Sequence, residues 1–218
     1  MKKDFWLERW NRGEIGFHQD EINPYLCQHW QELYLAPNSQ VFVPLCGKSR
    51  DMLWLREKGH RILGVELSEV AVRAFFKENG YSPHRVTGDR FDSCEANGIC
   101  ILCGDFFDIN KEDLADVGAV YDRASLIALP PDMRARYARH LAGILPPATH
   151  ILLVTLEYPQ VEMQGPPFSV TNSEVKKLYR DYADVRLIEQ QDVLAKNLRF
   201  LERGLSRLQE SLFLLTTR

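Results

Sequence analysis

A turn with a single glycine lies in the stretch VFVPLCGKSRDMLWL (41–55), between an apolar run typical of a strand and a helical pattern. Strand–turn–helix junctions of this kind hold nucleotides in α/β folds, and dinucleotide binders need a second glycine because their backbone must approach a pyrophosphate closely. Here Pro44, Leu45 and Cys46 precede Gly47. Glu66 ends the next apolar run, nineteen residues after Gly47, where an acid can accept hydrogen bonds from both ribose hydroxyls. A ribose contact without a pyrophosphate cradle favours a nucleoside with a non-phosphate tail, and S-adenosylmethionine fits that description.

Two other interpretations of these residues are a phosphate loop at the turn and a solvated carboxylate at Glu66. The letters Gly47-Lys48-Ser49 match the end of a phosphate loop, but that motif requires a glycine five residues earlier and position 42 is phenylalanine inside the apolar run. We therefore reject a nucleoside triphosphatase. Glu66 taken alone could be a solvated carboxylate at the end of a strand, and only its spacing from the turn favours a ligand contact.

Further polar side chains follow the next two apolar runs. Asp105 and Phe106 end GICILCGDFF (98–107), where the acid could accept from an adenine amino group and the ring could pack on its face. The alternative is a turn acid beside core phenylalanines, and the pattern alone does not separate the two. Asp122 and Arg123 end GAVYDRA (118–124), and a charged pair at that position is either a structural ion pair or a ligand contact. We favour the ligand contact because parallel strands bind ligands at their carboxyl ends.

The elements that must position these residues alternate along the chain. Helical patterns between short apolar runs predict an α/β fold with a doubly wound, mostly parallel, seven-stranded sheet and helices on both faces. The predicted strands are 40–46, 60–67, 98–107, 118–124, 149–158, 183–191 and 211–218, the last pair partly antiparallel, and the predicted helices are 49–58, 68–79, 131–145 and 171–182. Between the last two strands, KNLRFLERGLSR suits a long hairpin or a broken helix better than a full crossover.

An aromatic-rich extension precedes the first strand. It contains Trp6, Trp10, Phe17, Trp30 and Tyr34, the last two on one face of a predicted helix over 24–35. Such an extension could pack against the sheet or close over a ligand at its carboxyl edge. We expect one domain over 1–218, with a lid over 1–37 and a Rossmann-like core over 38–218.

Composition narrows the function classes. The 218 residues are 45% hydrophobic and 26% charged, with a formal net charge of −3, so a nucleic-acid partner is not expected. No run approaches a membrane span, and the N-terminus does not read as a signal peptide. Five cysteines favour reduced thiols in the cytoplasm, and no cluster has the spacing of a metal site.

With these residues collected, the chain resembles the thiopurine S-methyltransferase family, bacterial type, within the class I S-adenosylmethionine-dependent methyltransferases. The similarity covers nearly the whole chain. Its specific segments are FWLERWNRGEIGFHQ (5–19), VFVPLCGKSRDMLWL (41–55), GVELSEVAV (64–72), YDRASLIAL (121–129) and GPPFSV (165–170).

The resemblance implies S-adenosylmethionine as cofactor, with no metal, and S-adenosylhomocysteine as product. It implies cofactor contacts at Trp10, Leu45, Glu66 and Arg123, with Asp105 and Phe106 near the adenine. It also places Trp6 and Phe17 in the segment that covers cofactor and acceptor. The implied acceptors are aromatic thiols such as thiopurines, and some bacterial members are linked to selenium and tellurium detoxification. The natural acceptor is left open.

The expected chemistry explains why no catalytic base stands out. An aromatic thiol is substantially ionised near neutral pH, so alignment and exclusion of water suffice. Arg123 is the cation expected to hold an anionic acceptor or the cofactor carboxylate, whereas His18 is as well explained by packing or capping. A small thiol is the expected partner, and a monomer the expected state. A small-molecule N- or O-methyltransferase, a nicotinamide oxidoreductase and a binding module without catalysis are the alternatives.

Overall fold

The structure, a computed structural model, describes residues 3–218 in two compact units, the first ending at Tyr121 and the second spanning Asp122–Arg218. The first unit contains helices α1 (Lys3–Asn11), α2 (Pro24–His29), α3 (Asp51–Glu57) and α4 (Glu69–Glu78), with strands β1 (Gln40–Val43), β2 (Arg61–Glu66), β3 (His84–Val86), β4 (Asp92–Ala96) and β5 (Ile99–Cys103). Strand β6 (Val117–Arg123) begins in the first unit and ends in the second. The second unit continues with α5 (Ser125–Ala128), α6 (Pro131–Ile144), β7 (His150–Glu157), α7 (Asn172–Tyr179), β8 (Ala183–Asp192), α8 (Leu198–Glu202) and β9 (Gln209–Thr217).

The strands of the first unit lie in the order β3-β4-β5-β2-β1-β6. Strand β1 pairs in parallel with β2 and β6, and β2 pairs in parallel with β5, whereas β3 and β4 are antiparallel additions beside β5. The parallel strands are nearly continuous apolar runs, and Phe42, Ile62 and Ile101 are fully buried, as expected for strands covered on both faces. Their carboxyl ends bring Val43, Glu66 and Cys103 to the same edge.

The second unit is built on an antiparallel set in the order β7-β9-β8. Strand β9 pairs antiparallel with β7 over eight residues and with β8 across a register shift near Leu187. The connection between β8 and β9 contains a short 3-10 helix, Leu194–Lys196, and α8, so the hairpin and the broken helix that the sequence suggested are both present.

The prediction of an α/β fold with parallel strands and helical crossovers is confirmed, and every predicted strand and helix has a counterpart. The predicted count of seven strands is wrong, since residues 3–218 contain nine. The additional strands are β3, which is wholly exposed, and β4, which buries only Cys94. Without an apolar run or an alternation, neither strand left a signal in the sequence.

The predicted helix over 24–35 is shorter than expected. It ends at His29 and continues as a 3-10 helix, Trp30–Leu33, before Tyr34 adopts a left-handed conformation with φ 47°. Trp30 is buried, but Tyr34 is 91% exposed and does not share its face. Within residues 3–218, no helix has the length and apolar character that crossing a membrane requires.

Candidate active site

The turn after β1 has an unusual backbone. Leu45 adopts φ 48° and Gly47 adopts φ 52°, a region that a leucine rarely occupies. Two backbone hydrogen bonds hold the turn, from Cys46 N–H to the carbonyl of Val65 at 3.0 Å and from Ser49 N–H to the carbonyl of Cys46 at 3.1 Å. Strained backbone of this kind persists where its surroundings determine it, often at ligand sites.

Both the positive φ at position 47 and the close approach of Trp10 favour glycine there. A Cβ atom at this position would lie 3.2 Å from Cζ2 of Trp10, closer than ordinary van der Waals contact. Trp10, near the end of α1, is buried and therefore packs directly on the turn. The indole and the glycine backbone form one surface at the carboxyl end of β1.

Glu66 connects the turn to the helix that follows β2. Its Oε2 accepts a hydrogen bond from Gly47 N–H at 2.9 Å, and its Oε1 accepts one from Ser68 N–H at 2.8 Å. Ser68 in turn caps α4 by accepting from Ala71 N–H. A carboxylate offers about four acceptor positions, so Glu66 retains acceptor capacity beyond its bonds to backbone N–H groups. Burial raises the pKa of Glu66, and the N–H groups of Ser68, Gly47 and Leu67 oppose that rise.

Asp105 and Phe106 follow β5. Asp105 accepts a hydrogen bond from Phe107 N–H at 2.9 Å and forms an ion pair with Lys3 Nζ at 2.6 Å. Phe106 is buried and lies nearly parallel to Phe42 with ring centroids 6.5 Å apart, whereas Phe107 is only half-buried. The acid therefore has a partner in α1, and the Phe106 ring packs in the core beneath the site.

Trp6, Trp10 and Phe17 form an aromatic cluster in which Phe17 meets both tryptophans edge-on at 5.5 Å. We call residues 3–18, which carry these side chains, the aromatic segment. Trp10 on Gly47 and Lys3 on Asp105 hold this segment against the loops after β1 and β5. His18 Nε2 lies 3.6 Å from Oδ1 of Asp20.

In the second unit, Asp122 and Arg123 end β6. Asp122 is fully buried and accepts a hydrogen bond from the Tyr137 hydroxyl at 2.7 Å. Burial raises its pKa to about 6 although hydrogen bonds from Tyr137, Ser125 and Leu126 oppose the rise. Arg123 is half-buried and close enough to Glu210 of β9 to counteract the burial that raises the pKa of that acid.

The segments 122–129 and 165–170 are neighbours in the second unit. Phe168 N–H donates to the carbonyl of Ile127 at 2.7 Å, and the Tyr158 hydroxyl donates to the carbonyl of Pro167 at 2.6 Å. Arg134, which the sequence analysis missed, is only 1% exposed and donates to the carbonyls of Leu129 and Ser169. An arginine on an amphipathic helix reads as solvated, so no pattern distinguished it.

In the part of the chain that the structure describes, no three His, Cys, Asp or Glu side chains are grouped as a metal site requires. Cys46 and Cys94 are buried, Cys100 and Cys103 are half-buried, and Cys27 is exposed. Burial raises the pKa of Cys100 and Cys103 to about 11 in each case.

Along its whole length the chain is similar to proteins that share one family description. A family model described as "Thiopurine S-methyltransferase (TPMT)" matches residues 1–218. A Nitrosospira multiformis protein named thiopurine S-methyltransferase is 63% identical over 218 residues, which cover 100% of this chain and 99% of that protein.

Solved structures show the same fold at low identity. A SAM-dependent methyltransferase from Anabaena variabilis has a TM-score of 0.67 at 13% identity, with 99% of this chain and 95% of that chain covered. The 1,6-didemethyltoxoflavin-N1-methyltransferase of Burkholderia thailandensis, solved with S-adenosylhomocysteine, has a TM-score of 0.66 at 16% identity, with 99% and 86% covered. The fold is that of the class I methyltransferases.

Proposed function

Because the chain belongs to the thiopurine S-methyltransferase family, we propose that it transfers the methyl group of S-adenosylmethionine to the sulfur of aromatic and heterocyclic thiols such as thiopurines. The observation that carries the proposal is the Glu66 carboxylate, whose two hydrogen bonds to Gly47 and Ser68 fix it beside the glycine-poor turn. A buried acid with spare acceptor capacity suits a pair of ribose hydroxyls.

The residues of the first unit fit S-adenosylmethionine. Glu66 would bind the ribose, and the turn at Leu45 and Gly47 would bind the amino-acid tail. Because Trp10 packs on this turn, the turn backbone is not open to a pyrophosphate. Asp105 would accept from the adenine amino group, sharing its charge with Lys3. Phe106 would support the adenine pocket from below, because its ring is buried against Phe42.

The acceptor would be covered by the aromatic segment. When bound, the cofactor would supply an electrophilic methyl group for transfer to the acceptor thiolate. Trp6 and Phe17 would exclude water from this step and orient the flat acceptor, by edge-on contacts of the kind that they make with each other. Alignment of this type is worth up to about 7–11 kcal/mol, so a strong base is unnecessary.

Arg123 would bind an anion in this reaction. We infer that it holds the acceptor or the cofactor carboxylate, because it ends β6 and is only half-buried. Arg123 lies close enough to Glu210 for the two charges to interact. We further propose that the protein acts as a cytoplasmic monomer on small thiols.

Calorimetry with S-adenosylhomocysteine and with NAD tests the cofactor. We expect binding of the former and none of the latter, and a folded protein that binds NAD alone would overturn the proposal. Glu66→Gln should weaken this binding, and Glu57→Gln, at an exposed position at the end of α3, is the matched control that should bind normally.

Transfer of labelled methyl groups tests the acceptor. The panel contains thiophenol, a thiopurine, phenol and aniline, with selenite and tellurite as separate arms for the detoxification role. We expect label on the two thiols. Label on phenol or aniline alone would assign O- or N-methylation instead, and cofactor binding without any transfer would indicate a binding module.

A further inference from the structure

Asp51 is a buried acid that is not among the proposed cofactor contacts. It helps to fix the part of the N-terminal extension that precedes α2. Asp51, the first residue of α3, is fully buried. Its Oδ1 accepts a hydrogen bond from Asn23 N–H at 2.9 Å, and its Oδ2 accepts one from the Tyr121 hydroxyl at 3.0 Å. Burying a carboxylate costs free energy unless partners satisfy it, so its presence here calls for a specific role.

Asp51 and its neighbour Arg50 fix the same part of the extension. Arg50 donates to the carbonyl of Asp20 at 3.0 Å, while Asp51 accepts from Asn23. The Asn23 side chain caps α2 by accepting from Tyr25 N–H at 3.0 Å and Leu26 N–H at 3.3 Å. The start of α3 therefore determines where α2 begins.

The chain after Asn23 is equally well held. Trp30 donates from Nε1 to His60 Nε2 at 3.0 Å and meets the Tyr121 ring edge-on at 6.5 Å. Burial lowers the pKa of His60, so that its imidazole stays neutral and accepts this bond. We call residues 20–33 the base segment. Tyr121 contacts this segment directly at Trp30 and is linked to it indirectly through Asp51.

A short tether joins the base segment to the aromatic segment. From Phe17 to Asp20 the chain advances three residues, which span at most about 11 Å when extended. With Asp20 and Asn23 fixed at the start of α3, Phe17 and its partners Trp6 and Trp10 are confined to the neighbourhood of the turn that immediately precedes α3.

We propose that Asp51 is a positioning residue for methyl transfer: through Asn23 and Tyr121 it holds the base segment so that the aromatic segment lies on the turn at 44–49. The proposal rests on the function proposed above. In this proposal Asp51 aligns the aromatic segment, whereas Glu66 and the turn determine the affinity for the cofactor.

Two variants test the assignment. Tyr121→Phe removes one hydrogen bond and leaves Asp51 paired with Asn23, whereas Asp51→Asn places an amide where two donors converge. Misplacement by about 1 Å can lower a rate by up to about 100-fold, so we expect kcat with thiophenol to fall by about 10- to 100-fold in Asp51→Asn and less in Tyr121→Phe. Affinity for S-adenosylhomocysteine should stay within about 3-fold, since Glu66 and the turn are unchanged. Tyr81→Phe, a half-buried tyrosine after α4, is the control.

Acrylamide quenching of tryptophan fluorescence in the S-adenosylhomocysteine complex reports on the aromatic and base segments together, because three of the four tryptophans, Trp6, Trp10 and Trp30, lie in them. We expect quenching to rise in both variants and not in the control. Folded variants with unchanged kcat and quenching would overturn the proposal, as would an affinity loss as large as the loss of kcat. If the wild type proves inactive, the proposed function fails, yet quenching in the unliganded variants still decides whether Asp51 holds the segment.

Discussion

Glu66 holds the local structure together and is also the proposed ribose ligand. Glu66→Gln should weaken S-adenosylhomocysteine binding, because an amide presents N–H groups where a backbone N–H and the ribose both need an acceptor. Hydrogen bonds to a charged group contribute about 1.5–3 kcal/mol, so we expect Kd to rise by about 10- to 150-fold by calorimetry. An unchanged Kd would remove Glu66 from the site.

Gly47 provides a second prediction at this scale. Gly47→Ala combines a left-handed backbone with a contact on Trp10, and we expect it to destabilise the protein by about 1–3 kcal/mol in urea unfolding. Gly143→Ala, in α6 with open space around it, should instead stabilise by about 0.5–1 kcal/mol.

A double mutant separates the two causes of the Gly47 effect. If the indole contact contributes, Gly47→Ala should cost less in a Trp10→Ala background, with the difference measured as a coupling free energy. Additive effects would leave backbone strain as the sole cause.

At the scale of elements, Arg134 joins α6 to two loops and to the start of α7. It donates to the carbonyls of Leu129 and Ser169 and pairs with Glu174 at 2.5 Å. Arg134→Met should speed amide hydrogen exchange in residues 165–170 and 125–129 before it affects α7, because both loops lose an inter-segment hydrogen bond. Arg139→Met, exposed on the same helix, is the control. Exchange that accelerates equally throughout the second unit would indicate general destabilisation.

The elements also show which information the sequence contains. Apolar runs predicted the buried strands and helical patterns predicted α4 and α7, since both signals are local. The spacing of Glu66 from Gly47 predicted their proximity, because parallel strands end at one edge. Asp51 gave no signal, as its partners Asn23 and Tyr121 are 28 and 70 residues away and only the folded chain brings them together.

At the scale of the whole molecule, Asp122 makes stability depend on pH. Its pKa of about 6 in the folded protein exceeds the ordinary value of 3.8 because of burial, so the native state binds the extra proton between about pH 4 and 6. Stability should therefore fall as pH rises through that window, by up to about 3 kcal/mol. Urea unfolding at several pH values measures the change.

Asp122→Asn isolates this contribution from the other buried acids. The amide oxygen can still accept from Tyr137, and it does not titrate. In the variant, we expect most of the decrease in the free energy of unfolding between pH 4 and 6 to disappear. The contributions of Glu66 and Glu210, whose pKa values burial also raises, should remain. An identical pH dependence in variant and wild type would place the Asp122 pKa near its ordinary value.

An enzyme that presents an alkylating agent to sulfur endangers its own sulfur. Cys46 lies in the turn at 44–49, the proposed cofactor contact, yet its Sγ faces inward, 2.8 Å from where a Cβ of Gly64 would stand, and burial raises its pKa. With a pKa of about 11, Cys100 and Cys103 are each ionised in only about one molecule in ten thousand at pH 7. These three thiols are thereby protected from methylation, whereas Cys27, exposed on α2, offers a native attachment point for a maleimide dye.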